Sequence, residues 1–424
     1  MSSGSSPPPR VLIVAGEASG DLYGGLLMRA MEREVPVEFE GIGGPEMLSA
    51  GLDPIADARQ LGVTGLSEVL FSLRSIWAAY RRVGAILEDA ARRPDLVILI
   101  DYPDFNLRLA RRAKRAGIPV LYFVSPQIWA WRAGRVRVIA DRVDRMLVIL
   151  PFEEEIYRKA GVEVEFVGHP LVDRVRAERS REQVLRPLGL DPGRPAVALM
   201  PGSRRNEIEA LLPPIIGAAR LLKEEFGDLQ FILPVAPTLD RGALQEAVKR
   251  ASEGSRPSQR GGYASDRPAG RDPAPAPLLV EGDRYDLIAA CDAAIVASGT
   301  ATLEATLLEV PMVIVYRVSP FTYALARRVS SVPHIGMVNL IVGRRVVPEL
   351  VQDECRPETI AAEVRRILTD PQLAETMRRD LGGVRALLGR PGAIGRAAEV
   401  GWGMINSVRG GTGSGRPPAG REGA

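Results

Sequence analysis

Asp101-Tyr102-Pro103-Asp104-Phe105-Asn106 directly follows the apolar run Leu96 to Ile100. A carboxylate at the carboxyl end of a buried parallel strand faces the crevice in which α/β folds hold their ligands. One such group is enough as a general base for transfer to a hydroxyl when the leaving group is already good, and the paired carboxylates of a hydrolase are then unnecessary. By position Asp101 is the better base of the two, while Asp104 reads either as a cap for the helix that follows or as a second site carboxylate.

Three further loops have the composition of anion or ligand cradles. Gly16-Glu17-Ala18-Ser19-Gly20-Asp21 leaves the run Val11 to Ala15, with glycines that admit close approach of a ligand to the backbone. It is not Gly-x-Gly-x-x-Gly, and its acidic residues would repel a pyrophosphate, so a nicotinamide site is disfavoured. Glu17 and Asp21 read equally as loop-fixing groups or as ligand contacts. Pro201-Gly202-Ser203-Arg204-Arg205-Asn206-Glu207 is locally positive: Ser203 and free amides suit phosphate oxygens, and Arg204 offers a directed, permanent cation. Its other reading is an ordinary helix start, and without Gly-Lys-Ser/Thr it is no P-loop. In Ala297-Ser298-Gly299-Thr300-Ala301-Thr302-Leu303-Glu304, small hydroxyls at a helix start suit a diphosphate. Glu304, one turn on, reads as a ribose acceptor or as a carboxylate that merely favours the helix N-terminus.

Val124 to Arg132 carries Trp129 and Trp131, suited to sugar stacking, a lipid-facing wall or simple packing. Leu61 to Tyr80 is dense in large apolar residues beside Arg74, Arg81 and Arg82, the make-up of an interfacial helix or acyl groove, or of a buried or dimer face. His169 and His334 are too far apart in sequence to suggest a zinc centre with Cys291 or Cys355, and no acidic run has Mg²⁺ or Ca²⁺ spacing. No metal and no organic cofactor are expected.

These loops need strands and helices to hold them. Short apolar runs at Val11–Ala15, Leu96–Ile100, Val120–Val124, Arg145–Ile149 and Val164–Val167 alternate with helix-like stretches, and a second series starts at Ala196. That rhythm predicts two α/β domains with mostly parallel sheets. The expected division is an unstructured start at 1–10, a first domain at 11–172, a linker at 173–192, and a second domain at 193–355 with a flexible insertion at 252–276. Helices at 356–389 and an unstructured tail at 390–424 complete it. Lys+Arg 55 against Asp+Glu 52 leaves a net charge of +3, too small to imply nucleic acid. Two cysteines, no leader-like start and no run of 18 uncharged apolar residues predict a cytoplasmic setting with at most peripheral membrane contact.

The ordered set VAGEASGD (14–21), GIGGPEM (41–47), GVTGLSEVL (62–70), IDYPDFN (100–106), YFVSPQIWAWR (122–132), FVGHPLVD (166–173), MPGSRRNEIE (200–209), ASGTATLEATL (297–307) and VNLIVGRRVVPELVQDEC (338–355) resembles the lipid-A-disaccharide synthase family of bacterial inverting glycosyltransferases. The resemblance spans about residues 11 to 385. It implies two facing Rossmann-like domains (the GT-B architecture) with the last helices crossing back to the first domain, and a homodimer that exchanges those helices. It also implies transfer of 2,3-diacylglucosamine from its UDP form to 2,3-diacylglucosamine 1-phosphate, giving the β-1,6-linked disaccharide 1-phosphate, with contact to inner-membrane lipid. By motif position the family's base falls on Asp101 and its essential arginine on Arg204. The UDP-sugar site falls on Gly202, Ser203, Ser298, Gly299, Thr300, Glu304 and Asn339, and the acceptor side on Gly16, Glu17, Ser19 and Asp21. Same-fold rivals are a UDP-sugar epimerase or hydrolase and a non-enzymatic binding protein.

Overall fold

The computed structural model describes residues 7–33, 35–57, 68–126, 135–236, 239–254, 276–319, 323 and 334–411. The chain forms two compact units, one of residues up to Pro170 together with those from Arg390 onward, the other Leu171–Gly389.

The first unit runs β1 (Arg10–Ala15), α1 (Ala18–Met31), β2 (Glu38–Gly43), α2 (Pro45–Ser49), β3 (Asp53–Asp57), α3 (Glu68–Glu88), β4 (Leu96–Ile100), α4 (Pro103–Arg115), β5 (Val120–Phe123), α5 (Arg135–Ala140), β6 (Arg145–Val148), α6 (Pro151–Lys159) and β7 (Val164–Phe166). Its seven strands pair in parallel in the order β3-β2-β1-β4-β5-β6-β7. Both faces of the central strands are covered, so Val11–Ala15, Leu96–Ile100 and Val120–Phe123 read as unbroken apolar runs and are fully buried.

The second unit runs α7 (Leu171–Arg174), α8 (Arg181–Leu185), β8 (Ala196–Met200), α9 (Arg205–Phe226), β9 (Gln230–Pro234), α10 (Arg241–Gly254), β10 (Leu278–Val280), α11 (Arg284–Ala289), β11 (Ala293–Ala297), α12 (Thr300–Leu307), β12 (Met312–Tyr316), α13 (Met337–Val342), β13 (Glu349–Val351), α14 (Pro357–Thr369) and α15 (Pro371–Leu387). The strand order is β10-β9-β8-β11-β12-β13, again parallel throughout. In each sheet the strand order reverses at one point, between β1 and β4 and between β8 and β11. The loops after those strands are where such folds bind ligands.

Three expectations of domain organisation are corrected. The 173–192 segment is part of the second unit rather than a linker: Glu178 and Arg179 amides donate to Asp286 Oδ1 (2.6 and 3.1 Å), and the Arg181 guanidinium donates to the Ala290 carbonyl (2.6 Å). The helices of 356–389 also stay there, α14 against α9 and α15 against α12. The segment that returns to the first unit is α16 (Ala393–Gly411), inside the stretch expected to be unstructured. It lies on α1, and Ala397 and Ile405 are buried. Trp402 Nε1 donates to the Met31 carbonyl (3.2 Å), and the Arg409 guanidinium is bidentate to Asp95 (3.1 and 2.9 Å). Arg409 also donates to the carbonyls of Pro7 and Pro8, which ties down part of the expected loose N-terminus. Of the expected insertion, residues 252–254 end α10 and 255–275 lie outside the described residues, as do 1–6 and 412–424.

Ile405 is fully buried under this helix. Truncation to alanine should cost about 2–4 kcal/mol, read as a downward shift of the denaturation midpoint; an unchanged midpoint would show that α16 contributes nothing to the first unit's stability. Among the described residues no helix is long and apolar enough to cross a membrane.

Candidate active site

At the switch point of the first sheet, the loops after β1 and β4 meet. Tyr102 lies against Gly16 so closely that a Cβ there would stand 2.5 to 2.8 Å from three ring carbons, which only glycine avoids. The same ring stacks on Phe105 at 5.7 Å. Asp101 and Tyr102 both adopt left-handed backbone angles (φ 46° and 47°), as does Val124 (φ 63°) after β5, whose carbonyl accepts from the Asp101 amide at 3.3 Å. Burial raises the Tyr102 phenol above its ordinary pKa, and Asp104 and Glu17 raise it further, which places both carboxylates within electrostatic reach of the ring. Asp104 is the second residue of α4 and Tyr102 occupies the cap position, so the capping expectation for Asp104 does not hold.

Glu17 is exposed at the start of α1 and Ser19 is half-buried in its first turn. Asp21 takes the loop-fixing reading. It is buried, and its carboxylate accepts from the amides of Gly44 (2.7 Å), Met47 (3.0 Å) and Glu46 (3.0 Å), holding the start of α2 beside α1. His169, at a turn after β7, is buried with its ring edge-on to Tyr23 at 6.2 Å. Burial drives its pKa from the ordinary 6.5 down to about 3, so it is neutral in the fold and a poor base. The unfolded chain binds a proton below pH 6.5 while the folded chain does not until about 3. Stability is therefore present above pH 6.5 and falls toward pH 3, by ~1.4 kcal/mol per pH unit from this group alone. Denaturation from pH 7 to pH 4.5 should show a shallower loss in His169→Gln than in the wild type; parallel curves would refute it.

In the second unit the loops after β8 and β11 flank the switch point. Gly202 (φ 116°) precedes Ser203 and Arg204, both exposed. Glu207, one turn into α9, closes on them: its Oε2 accepts from the Ser203 and Arg204 amides (3.0 and 3.3 Å) and its Oε1 from Arg204 Nη1 (3.3 Å). After β11, Gly299 and Thr300 are exposed at the start of α12 and Ser298 Oγ donates to the Ile335 carbonyl at 3.1 Å. Glu304 is buried and paired with Arg284, a partner that the sequence did not single out. Burial is the main influence on Glu304 and raises its pKa, with Arg284 opposing it. Arg284 also stands over the Tyr285 ring at 5.1 Å.

Asn339 is fully buried and its amide is engaged on both sides. Oδ1 accepts from the amides of Val346 (2.7 Å) and Val347 (3.1 Å), while Nδ2 donates to the Val347 carbonyl (2.9 Å) and Glu349 Oε1 (2.7 Å). Glu349 accepts in turn from the Ile335 and Gly336 amides (2.9 and 3.1 Å), so Asn339 steadies the segment on which Ser298 rests. Neither Glu207 nor Glu349 was expected as a site-shaping group. A glutamate three residues after the loop's arginine, placed to accept from the amide at the helix start, was a signal available for the first; for the second there was none, because its partners are brought together only by the fold. Trp129, Trp131 and Leu61 to Ser67 lie outside the described residues, and no group of three or more His, Cys, Asp or Glu that could hold a metal occurs among those described.

Two parallel α/β units in tandem, each with glycine loops and polar side chains at its switch point, define a two-domain glycosyltransferase fold of the GT-B type. The family model described as lipid-A-disaccharide synthetase matches residues 11–254 and 269–386, and the chain belongs to that family. It is 49% identical over 391 residues to the lipid-A-disaccharide synthase of Syntrophus aciditrophicus, covering 92% of this chain and 96% of that one. With the synthase of Geobacter metallireducens it shares 46% identity over 96% of this chain and all of the relative. Among solved structures, the UDP-GlcNAc 2-epimerase from Neisseria meningitidis bound to UDP-GlcNAc superposes with a TM-score of 0.57 at 13% identity, covering 93% and 99% of the two chains. At that identity the likeness shows the fold alone.

Proposed function

We infer that the chain transfers 2,3-diacylglucosamine from UDP to 2,3-diacylglucosamine 1-phosphate, forming the β-1,6-linked lipid A disaccharide 1-phosphate and releasing UDP. The observation that carries this reading is family membership across nearly the whole chain. In a single displacement, Asp101 takes the proton of the acceptor 6-hydroxyl as that oxygen bonds to the donor anomeric carbon, and the bond from that carbon to the diphosphate oxygen breaks. The anomeric centre inverts and no covalent sugar intermediate forms.

The second unit is the donor site in this reading. Gly202, Ser203 and Arg204 meet the diphosphate at the start of α9, with Ser298, Gly299 and Thr300 at the start of α12. Glu304 serves the ribose hydroxyls once Arg284 yields to it, and Asn339 shapes the wall. Gly16, Glu17, Ser19 and Asp21 form the acceptor side, Asp21 through the α2 loop that it holds.

The setting is the cytoplasmic face of the inner membrane. Trp77, 61% exposed on α3 with Arg81 over its ring at 4.8 Å and Arg74 and Arg82 exposed nearby, supports peripheral contact there. In a homodimer the exchanged element would be α16, and light scattering on the full chain tests that.

Incubation with UDP-2,3-diacylglucosamine, with and without the monosaccharide 1-phosphate, decides the reaction by product mass. Disaccharide and UDP formed only with acceptor support the transferase. UDP or free sugar formed equally without it would replace this reading with hydrolase or epimerase chemistry, and binding without turnover would replace it with a carrier.

A further inference from the structure

We propose that Asn106 and Tyr122 are positioning residues that hold Asp101 in its left-handed conformation and so fix the carboxylate that removes the acceptor proton; this rests on Asp101 being the base. Two successive non-glycine residues with φ near +46°, and a β-branched valine at φ 63° hydrogen-bonded to the first of them, form a local concentration of strain. Left-handed non-glycine residues, a tyrosine and a β-branched valine above all, persist only where their surroundings over-determine them. Here the surroundings converge on one atom, the Asp101 carbonyl oxygen.

Asn106 Nδ2 donates to that oxygen at 2.8 Å and also to the Ile100 carbonyl at 3.2 Å. Successive carbonyls of an extended strand point to opposite sides, so a single amide nitrogen reaches both because the chain leaves the extended conformation at Asp101. The Tyr122 hydroxyl, from the adjacent strand β5, donates to the same oxygen. Tyr122 is fully buried, and burial first, the Asp101 charge second, keep its phenol protonated far above neutral pH, so it remains a donor. On the other side Ser125 Oγ and Tyr157 Oη, 2.7 Å apart, hold the chain just after Val124.

Asn106 points to function by a second route. It is completely buried, yet its Oδ1 has no hydrogen-bond partner among the described residues. A buried, unsatisfied acceptor carries a desolvation penalty, which an apolar residue of similar size would avoid. The amide is retained for its donor.

The test compares Tyr122→Phe and Asn106→Leu, alone and in an Asp101→Asn background, by acceptor-saturated turnover and by UDP titration. Each single variant should lose about 10- to 100-fold in kcat, the scale on which an ångström of misplacement acts, with both KM values and UDP affinity within about twofold of the wild type. In the Asp101→Asn background the same substitutions should remove nothing further, because they act through the carboxylate that is gone. Multiplying losses in that background, a change confined to KM, weakened UDP binding or undiminished kcat in the single variants would each overturn the assignment. Should Asp101→Asn fall to the detection limit, the kcat-against-KM split in the single variants decides alone. Full turnover by Asp101→Asn sinks the base assignment itself, whereas an inactive Asp101→Asn beside fully active Tyr122→Phe and Asn106→Leu sinks only the positioning role.

Discussion

Asp101→Asn should retain UDP binding and lose about 10²- to 10⁴-fold in kcat, the range contributed by a positioned general base. The substitution isolates chemistry from structure unusually well. Asparagine has the same shape as aspartate and tolerates left-handed backbone angles, so the φ of 46° and the bonds made by the Asp101 amide and carbonyl are all available to it. The loops proposed for the donor, after β8 and β11, belong to the other unit. Steady-state turnover with both substrates, alongside calorimetric UDP titration, measures the effect. A wild-type rate in the variant would mean that the acceptor hydroxyl is deprotonated elsewhere, with Glu17 and Asp104 the nearest alternatives because both act electrically on Tyr102 in the same loop pair. Lost UDP affinity would instead mean that the variant had disturbed more than a proton acceptor.

That Asp101 could be singled out before the fold was known reflects how α/β sheets are built. The strand Leu96–Ile100 is buried on both faces and so announces itself as an apolar run, and the residue that follows it is placed at the strand's carboxyl end by topology alone. The same logic located the loops after β1, β8 and β11. It missed β2, β3 and β13, which are edge or near-edge strands carrying Glu38 and Glu40, Pro54, or only three residues, and so lack an unbroken apolar signature. It failed at α16 for a different reason. Gly395, Gly401, Gly403, Gly410 and Gly411 give that segment poor intrinsic helix propensity. The helix forms where it packs on α1, with Gly401 facing the end of the Met31 side chain.

What sequence position could not supply is how the site residues are engaged. Asp21, Glu304 and Asn339 were each open to a ligand role from their motifs. Asp21 bonds to backbone amides more than twenty residues on, Asn339 to the turn and strand that follow its own helix, and Glu304 to Arg284, twenty residues before it. Such partners depend on which loops the fold brings together, and no local periodicity encodes them. The motifs therefore leave undecided which side chains would touch a ligand and which would hold the loops that do.

Arg204→Ala should lower kcat by about 10²- to 10³-fold, the effect of removing one donor aimed at developing charge, with a smaller rise in KM for the UDP-sugar. As the bond to the anomeric carbon breaks, negative charge builds on the diphosphate, and a permanent cation at the start of α9 opposes it more in the transition state than in the bound donor. In the structure the guanidinium is paired with Glu207 at 3.3 Å, but Arg204 is 58% exposed there, and pairs of that kind contribute only about 0–1 kcal/mol. A diphosphate carries more charge than one carboxylate and would draw the arginine across. It would also compete for the Ser203 and Arg204 amides that Glu207 now occupies. Arg204→Lys keeps the charge and loses the planar fork, so it separates the two contributions. Recovery to near the wild-type rate would show that charge alone matters, whereas recovery of no more than about a tenth would show that directed hydrogen bonds carry most of the effect. Wild-type kcat in Arg204→Ala itself would remove this loop from the reaction and leave the start of α12 to stabilise the leaving diphosphate alone.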